Sequence, residues 1–409
     1  MIEARFTIVT PLFMGGADPK VPELRVPGIK GALRFWWRAL AWSWCGGDLS
    51  RIRDLEGQIF GSTKNGQSKV IMDLSGANAD AEHTNDRLFE SEKRQGKKRQ
   101  KCQGLIYLGY GPIDGGELTR CYLKTPLDAT LRIRIRPTRS NKAPEHYDES
   151  EIKDQISKAL IAMGLFGGLG ARSRRGFGSF NLTELNVDGK TDFKCPGGLK
   201  ELEASIKRFF EDLDLYNGLP EYTAFSSDTE VCLFENTSAD SLELLDMVGR
   251  AMMAYRLGTK KRSGKAFVKS GGFKKDTELA KRALNSKVSE HPRRLFFGLP
   301  HNYHFKNSKK NLEIRGENHD RRASPLLIHV QKLGTEYAAV AALMPARFLP
   351  EGEKILMRAI EEKEETGDAR VPVVGHPRSS PKSCVELDRN EAEEFTVIKD
   401  FLKSWQKVI

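Results

Sequence analysis

The segment LDATLRIRIRPT, residues 127–138, constrains this chain more than any other. Leu131, Ile133 and Ile135 alternate with Arg132, Arg134 and Arg136, the two-residue period of a β-strand with one apolar and one basic face. The patterns around it fall in a definite order. MIEARFTIVT alternates and breaks at Thr10-Pro11, giving a first strand. In GIKGALRFWWRALAWSWCGG, Leu33, Trp36, Trp37, Leu40 and Trp44 recur at helical spacing and Gly46-Gly47 supplies the stop, which predicts a helix over 29–45. Residues 51–60 read as a further short helix and KVIMDL as a strand. Residues 150–163 put Ile152, Ile156, Leu160 and Met163 on one helical face, then run into GLFGGLGARSRRGFGSFNL, whose last six residues read as a strand.

Strand, helix, strand, strand, helix, strand is the βαββαβ order of the ferredoxin-like fold, shared by RNA-recognition (RRM-like) modules. A chain of 409 residues has room for two such units. The expectation is therefore an α+β protein of two tandem ferredoxin-like domains with insertions, residues 1–200 and 201–409. In the second half, 203–213 and 241–257 are helical patterns separated by the strand-like AFSSDTEVCLF. PLLIHVQKL and YAAVAALMP form a hairpin about Gly334-Thr335, EKILMRAIEEKEE continues as a helix, and 391–409 is helical in pattern. Residues 82–103 are almost purely polar, with a basic cluster at 93–101, and 259–275 form a basic loop; both read as solvated.

Charge then narrows the partners. Lys and Arg number 66 against 55 Asp and Glu, a formal +11, so the first partner to test is nucleic acid. No apolar run reaches the ~18 to 20 residues of a membrane span, and the N-terminus reads as a strand rather than a signal peptide, so an intracellular, cytoplasmic protein is expected. The six cysteines lie 19 or more residues apart with no zinc spacing. Only His301 and His304 lie close together, without a metal motif, so no metal site is expected.

Two constellations stand out. Lys30, Arg34 and Arg38 are spaced i, i+4, i+8 and line one stripe of the first helix, near its N-terminal half, where the macrodipole disfavours cations. Such a stripe suits phosphate, or packs on acidic neighbours. The second is the glycine-rich segment. Gly168 and Gly170, with four further glycines, can turn successive N–H groups towards an anion, and Arg172, Arg174 and Arg175 add planar donor forks. It lacks the spacing of a P-loop or a dinucleotide fingerprint. Trp36 and Trp37 lie about 100° apart on the helix, so Trp37 joins the candidate RNA contacts. Lys260, Lys261 and Arg262 do so from the basic loop, and Phe267 and Phe273 are candidate exposed stacking residues.

TPLFMGGADPKVPELRVPGIKGALRFWWRAL and GLGARSRRGFGSF resemble the two hallmark motifs of the RAMP superfamily (repeat-associated mysterious proteins) of CRISPR systems. The doubled Trp of LRFWWRAL after Glu23-Leu24-Arg25 resembles, within it, the first-subunit family of the type III-B Cmr effector. The match covers 5–45 and 160–182, and in the second half rests on the general pattern of HPRRLFFGLP and RRASPLLIHV. The resemblance implies two ferredoxin-like domains, no cofactor, and a place near the 3′ end of the guide RNA, touching guide, target and neighbouring RAMP subunits. Its motifs carry over as Lys30, Arg34 and Arg38 and as Arg172, Arg174 and Arg175.

The expected role is a non-catalytic holder of single-stranded RNA in antiviral defence, with a groove running between the two domains. A metal-independent endoribonuclease processing CRISPR RNA is the alternative, with His301, Tyr303 and His304 beside Lys306 as acid, base and cation. A protein-binding scaffold is the third.

Overall fold

A computed structural model of the protein describes residues 1–18, 20–76, 81–82, 102–114, 116–137, 148–257, 273–305, 310–361, 383–387 and 395–409. The basic cluster at 93–101, together with Lys260, Lys261, Arg262, Phe267 and Lys306, lies outside these residues.

Mixed α and β elements with antiparallel sheets make up the described chain. In order come β1 (Ile2–Ile8), α1 (Val26–Trp44), α2 (Leu49–Phe60), β2 (Val70–Ser75), β3 (Leu127–Ile135), α3 (Glu149–Phe166), β4 (Phe180–Val187) and β5 (Lys190–Lys194). Their strands form one sheet, β2-β3-β1-β4-β5, with every neighbour antiparallel. There follow α4 (Leu199–Glu211), β6 (Glu230–Leu233), α5 (Ser241–Leu257), β7 (Leu326–Leu333), β8 (Glu336–Leu343), α6 (Thr396–Leu402) and β9 (Gln406–Lys407). Here the sheet order is β7-β8-β6-β9, again antiparallel. The expected hairpin about Gly334-Thr335 is β7-β8.

Two units result. Met1–Met253, Leu326–Ala346 and Trp405–Ile409 make the first, which holds both of these sheets; Ala254–Pro325 and Arg347–Ser404 make the second. Residues 201–253, read above with the second half, thus pack with the first unit. In the second unit the helix Lys274–Asn285 accompanies a sheet of His301–Tyr303, Lys310–Gly316, Lys354–Glu361 and Ser383–Glu386 in that order.

The helix expected in EKILMRAIEEKEE is instead a strand, because Lys354–Glu361 is hydrogen-bonded along both edges, to Lys310–Gly316 and to Ser383–Glu386. Of the helix expected over 391–409, residues 391–394 lie outside the described residues, and among the described ones Thr396–Leu402 is helical while Gln406–Lys407 pairs with β6. Among the described residues no helix is long and apolar enough to cross a membrane.

Local rules account for the parts that position the site. Pro27 in the first turn of α1 lacks only an N–H that the helix leaves unpaired there. Asp48 caps α2, accepting from the N–H groups of Ser50 and Arg51 at 2.9 and 3.0 Å, a bond worth about 1 kcal/mol. Leu33, Trp36, Trp37 and Leu40 of α1 are buried, as their spacing requires. The ring of Phe166 at the end of α3 lies 6.3 Å from Trp36 and 5.8 Å from Phe225, centroid to centroid. The apolar face of β3 is buried at Leu131, Ile133 and Ile135. Its other face is not uniformly basic in context: Arg132 faces Glu3 of β1 in register, and its Nε donates to Glu3 Oε2 at 3.0 Å.

Candidate nucleic-acid interface

The stripe on α1 meets an acid. Arg34 Nε and Arg38 Nη1 both donate to Glu56 Oε1 of α2, at 2.8 and 2.6 Å, and the Arg34 guanidinium lies 5.8 Å from the centroid of Phe60. One carboxylate thus serves two guanidiniums, with Lys30 one turn earlier, so the stripe keeps a surplus of positive charge. Both arginine side chains remain more than a third exposed. Burial, and then the charge of Arg34, hold the Lys30 ammonium below the usual lysine range.

Trp37 drops out of the candidate contacts. It is fully buried, its Nε1 donates to Gln155 Oε1 at 2.9 Å, and its ring packs edge-on against Phe60, so no face is left for a base. Phe273 likewise is buried, its ring edge-on to Tyr255.

The glycine-rich segment is held by its own backbone rather than opened towards an anion. Leu169 N–H donates to Gly178 O, Ala171 N–H to Phe13 O, Arg175 N–H to Arg172 O and Gly178 N–H to Pro11 O, at 2.7–3.0 Å. The anion cradle expected there is thus closed at these four positions. Packing explains the two glycines named from sequence: a Cβ at Gly168 would stand 2.9 Å from Gly178 O, and one at Gly170, where φ is +74°, 2.5 Å from Phe13 O.

What the segment presents is side chains. Arg172 takes φ +63°, a left-handed conformation uncommon outside glycine, and is exposed. Its guanidinium lies against the turn at Tyr110-Gly111, where a Cβ on Gly111 would meet Nη2 at 3.1 Å. Tyr110 is 64% exposed. Arg174 sets its guanidinium 5.1 Å from the centroid of Phe35 on α1, and Nη1 donates to Thr223 Oγ1 at 3.3 Å. Arg175 turns inward, with Nη1 3.2 Å from Met252 Sδ of α5. The structure thus gathers Phe35 with Arg174 and sets Arg172 against the turn at Tyr110-Gly111, while Lys30, Arg34 and Arg38 line a different stripe of α1. Between α1 and the loop lies a hollow of about 150 Å³, walled by Ala32, Phe35 and Trp36 on one side and by Gly168, Ser173 and Arg174 on the other.

Behind the loop a buried polar seam fixes its position. β7 is an edge strand, and its outward backbone groups are met by residues 174–181. Ile328 N–H donates to Arg174 O at 3.0 Å, Val330 N–H to Ser179 Oγ at 3.0 Å and Lys332 N–H to Asn181 Oδ1 at 2.6 Å, while Asn181 Nδ2 donates to Val330 O at 2.9 Å. Gln331 Nε2 donates to Asn181 Oδ1 at 2.8 Å, and His329 Nδ1 stands 2.7 Å from Gly167 O. Complete burial pushes the His329 imidazole down to about 4, against the opposing pull of Gly167 O and Gln331.

Sequence reasoning missed Phe35, Tyr110 and Ser173. Phe35 was legible as an aromatic one position off the apolar stripe of α1; Tyr110 and Ser173 carried no periodic signal.

Of the candidates for RNA cleavage, two are enclosed in the second unit. His301 and Tyr303 are buried, and the Arg294 guanidinium sits 4.6 Å from the Tyr303 ring centroid. Burial, then the charges of Arg256 and Arg294, hold the His301 imidazole well below its usual value, and burial raises the Tyr303 phenol. His304 is exposed.

Comparison with known proteins follows the same regions. The RAMP superfamily model matches residues 5–181, which contain both α1 and the glycine-rich loop. A Pyrococcus furiosus protein described as CRISPR system Cmr subunit Cmr1-1 is 26% identical over 348 residues, 81% of this chain and 83% of its own length. A second, Cmr subunit Cmr1-2 of the same organism, is 28% identical over 188 residues, 45% of this chain and 97% of its own. The crystal structure of apo Cmr1 from Pyrococcus furiosus superposes with a TM-score of 0.51 at 20% identity, covering 86% of this chain and 90% of that one, a likeness of fold.

Proposed function

From the premise that this chain belongs to the RAMP superfamily, where it groups with the first subunit of the Cmr complex, we propose that it is a subunit of a type III-B CRISPR effector that holds single-stranded RNA without cutting it. The observation that carries this reading is the Arg174 guanidinium of the glycine-rich loop, 5.1 Å from the Phe35 ring centroid, with Arg172 of the same loop against the turn that carries the exposed Tyr110. Guanidinium planes and aromatic faces together suit unstacked bases, and the surplus charge of Lys30, Arg34 and Arg38 suits the phosphates between them. Guide and target strands, the 3′ end of the guide, neighbouring RAMP subunits and a place in the cytoplasm belong to the same proposal. So do the contacts of Lys260, Lys261 and Arg262 and the division of the chain into 1–200 and 201–409.

Tandem ferredoxin-like domains are supported by the strand orders. In βαββαβ numbering the first sheet reads 2-3-1-4 with β5 added beyond strand 4, from β1, β2, β3 and β4. The second reads 2-3-1-4 from β6, β7, β8 and β9, with α5 starting after its first strand.

Enclosure of His301 and Tyr303 speaks against the endoribonuclease reading, because a general base must reach the 2′-OH. A scaffold that meets acidic proteins would use the same arginines. Binding of single-stranded RNA across a salt series separates the two: with six to eight phosphate contacts the log-log slope is about −0.7 per contact. An affinity indifferent to salt would refute the RNA reading.

A further inference from the structure

We infer that the hollow between α1 and the glycine-rich loop receives one unpaired pyrimidine base of the bound strand. The assignment rests on the RNA-holding reading above and adds a base contact to it.

Volume, wall chemistry and geometry each select the occupant. At about 150 Å³ the hollow matches the cavity size that accommodates a single benzene ring, so one six-membered ring fits and a purine overhangs. Its walls are largely apolar, from Ala32, Phe35 and Trp36 and from Leu327 of β7. A phosphate would lose hydration there, and the N–H of Gly167 in its wall already donates to Met163 O at 2.9 Å. A planar base loses little. The Arg174 guanidinium, 5.1 Å from the Phe35 ring centroid, already forms a cation–aromatic pair at the mouth, and a base entering beside it stacks on one member and meets the edge of the other. Ser173 supplies a hydroxyl that donates once and accepts twice, matched to the alternating donors and acceptors of a pyrimidine edge.

The position of the hollow also suits a strand held by its phosphates elsewhere. Arg172 and Arg174 are two residues apart on the loop, so a strand tracking past Tyr110 and Arg172 brings its next base within reach of the opening.

The test compares full-length protein binding to oligouridylate, oligoadenylate and an abasic oligomer of equal length, by fluorescence anisotropy. The wild-type chain binds oligouridylate at least tenfold more tightly than the abasic strand, and more tightly than oligoadenylate. Ala32→Leu, which fills the hollow without touching charge, and Phe35→Ala each bring the uridylate-to-abasic ratio down severalfold. Abasic binding and its salt slope stay unchanged in Ala32→Leu. Arg174→Lys, which keeps the charge and loses the plane, lowers the same ratio. A ratio unaffected by Ala32→Leu and Phe35→Ala overturns the pocket, as does oligoadenylate binding as tightly as oligouridylate, while salt-dependent binding to all three leaves the RNA-holding reading intact. Failure to bind any strand at low salt, the abasic one included, defeats that reading and the pocket together.

Discussion

Arg38 donates to Glu56 Oε1 at 2.6 Å, and Arg34 donates to the same oxygen. The shared carboxylate makes the basic stripe of α1 a partly neutralised surface rather than a bare one. Glu56→Gln removes the charge and keeps the shape. Unfolding free energy from urea titration falls by about 1 to 3 kcal/mol, since a bond between charged groups is replaced by a neutral one. RNA affinity rises at low salt and its log-log slope steepens as the two guanidiniums become available. A variant with unchanged urea midpoint and unchanged slope would show that the carboxylate restrains nothing.

Tyr110 gives the opposite separation. Its ring is 64% exposed, so Tyr110→Ala leaves stability within about 0.5 kcal/mol of wild type. Loss of a stacking platform weakens single-stranded RNA binding by about 1 to 3 kcal/mol, and Tyr110→Phe restores it. Equal affinity in Tyr110→Ala removes the residue from the interface.

For Trp37 the expectation is reversed again. Trp37→Ala empties a fully buried site on α1 and leaves Gln155 without its donor, costing about 3 to 5 kcal/mol. Trp37→Phe costs less, and binding per folded molecule is unchanged in Trp37→Phe. A folded Trp37→Phe protein with impaired RNA binding would return Trp37 to the contact set.

The seam behind the loop makes stability depend on pH. His329 titrates near 4 when folded, against 6.5 for an exposed imidazole, so the unfolded chain binds the extra proton between those values. Its contribution is therefore complete above pH 6.5 and is lost as pH falls towards 4, on the order of 3 kcal/mol in all. Urea titrations at pH 7, 5.5 and 4.5 show the decline in wild type. His329→Gln lessens it, and an identical pH profile in the variant would assign the decline to other groups.

Asn181→Leu addresses the same seam without a titrating group. Val330 O and Lys332 N–H are stranded, while Gln331 Nε2 keeps Cys195 Sγ and Lys332 O, so at about 1 to 3 kcal/mol per stranded group the loss is about 2 to 6 kcal/mol. Hydrogen exchange at Lys332 N–H accelerates more than at Ala341 on β8. Uniform exchange across both strands would count against a local role.

Much of this was legible in sequence because periodicity reports which face is buried. α1, α3, β3 and the β7-β8 hairpin follow from alternating or helical apolar spacing. The strand Lys354–Glu361 was read as a helix because KILMRAIE has apolar residues on both sides of either pattern, and hydrogen bonds to two neighbouring strands decide it. The site was less legible. Spacing places Trp36 and Trp37 on the apolar stripe but does not show that Phe35, one step away, meets Arg174 from a loop about 140 positions later. Glycines of the loop signal a backbone that must come close to something, and in the fold that something is Phe13 O and Gly178 O. Asn181, Gln331 and His329 sit inside apolar strings, where their polarity gives no hint of each other.

The side chains of Ser179 and Asn181 bonded along β7 bear on how the molecule meets others of its kind. An open strand edge invites augmentation, the pairing of a foreign strand onto the sheet, and ordinarily needs charges or proline to discourage it. Here the outward N–H groups of 328, 330 and 332 are already engaged by the chain itself. The same contacts that aim the loop therefore also insulate that sheet from strand exchange, leaving docking with neighbouring subunits to side-chain surfaces or to other strand edges.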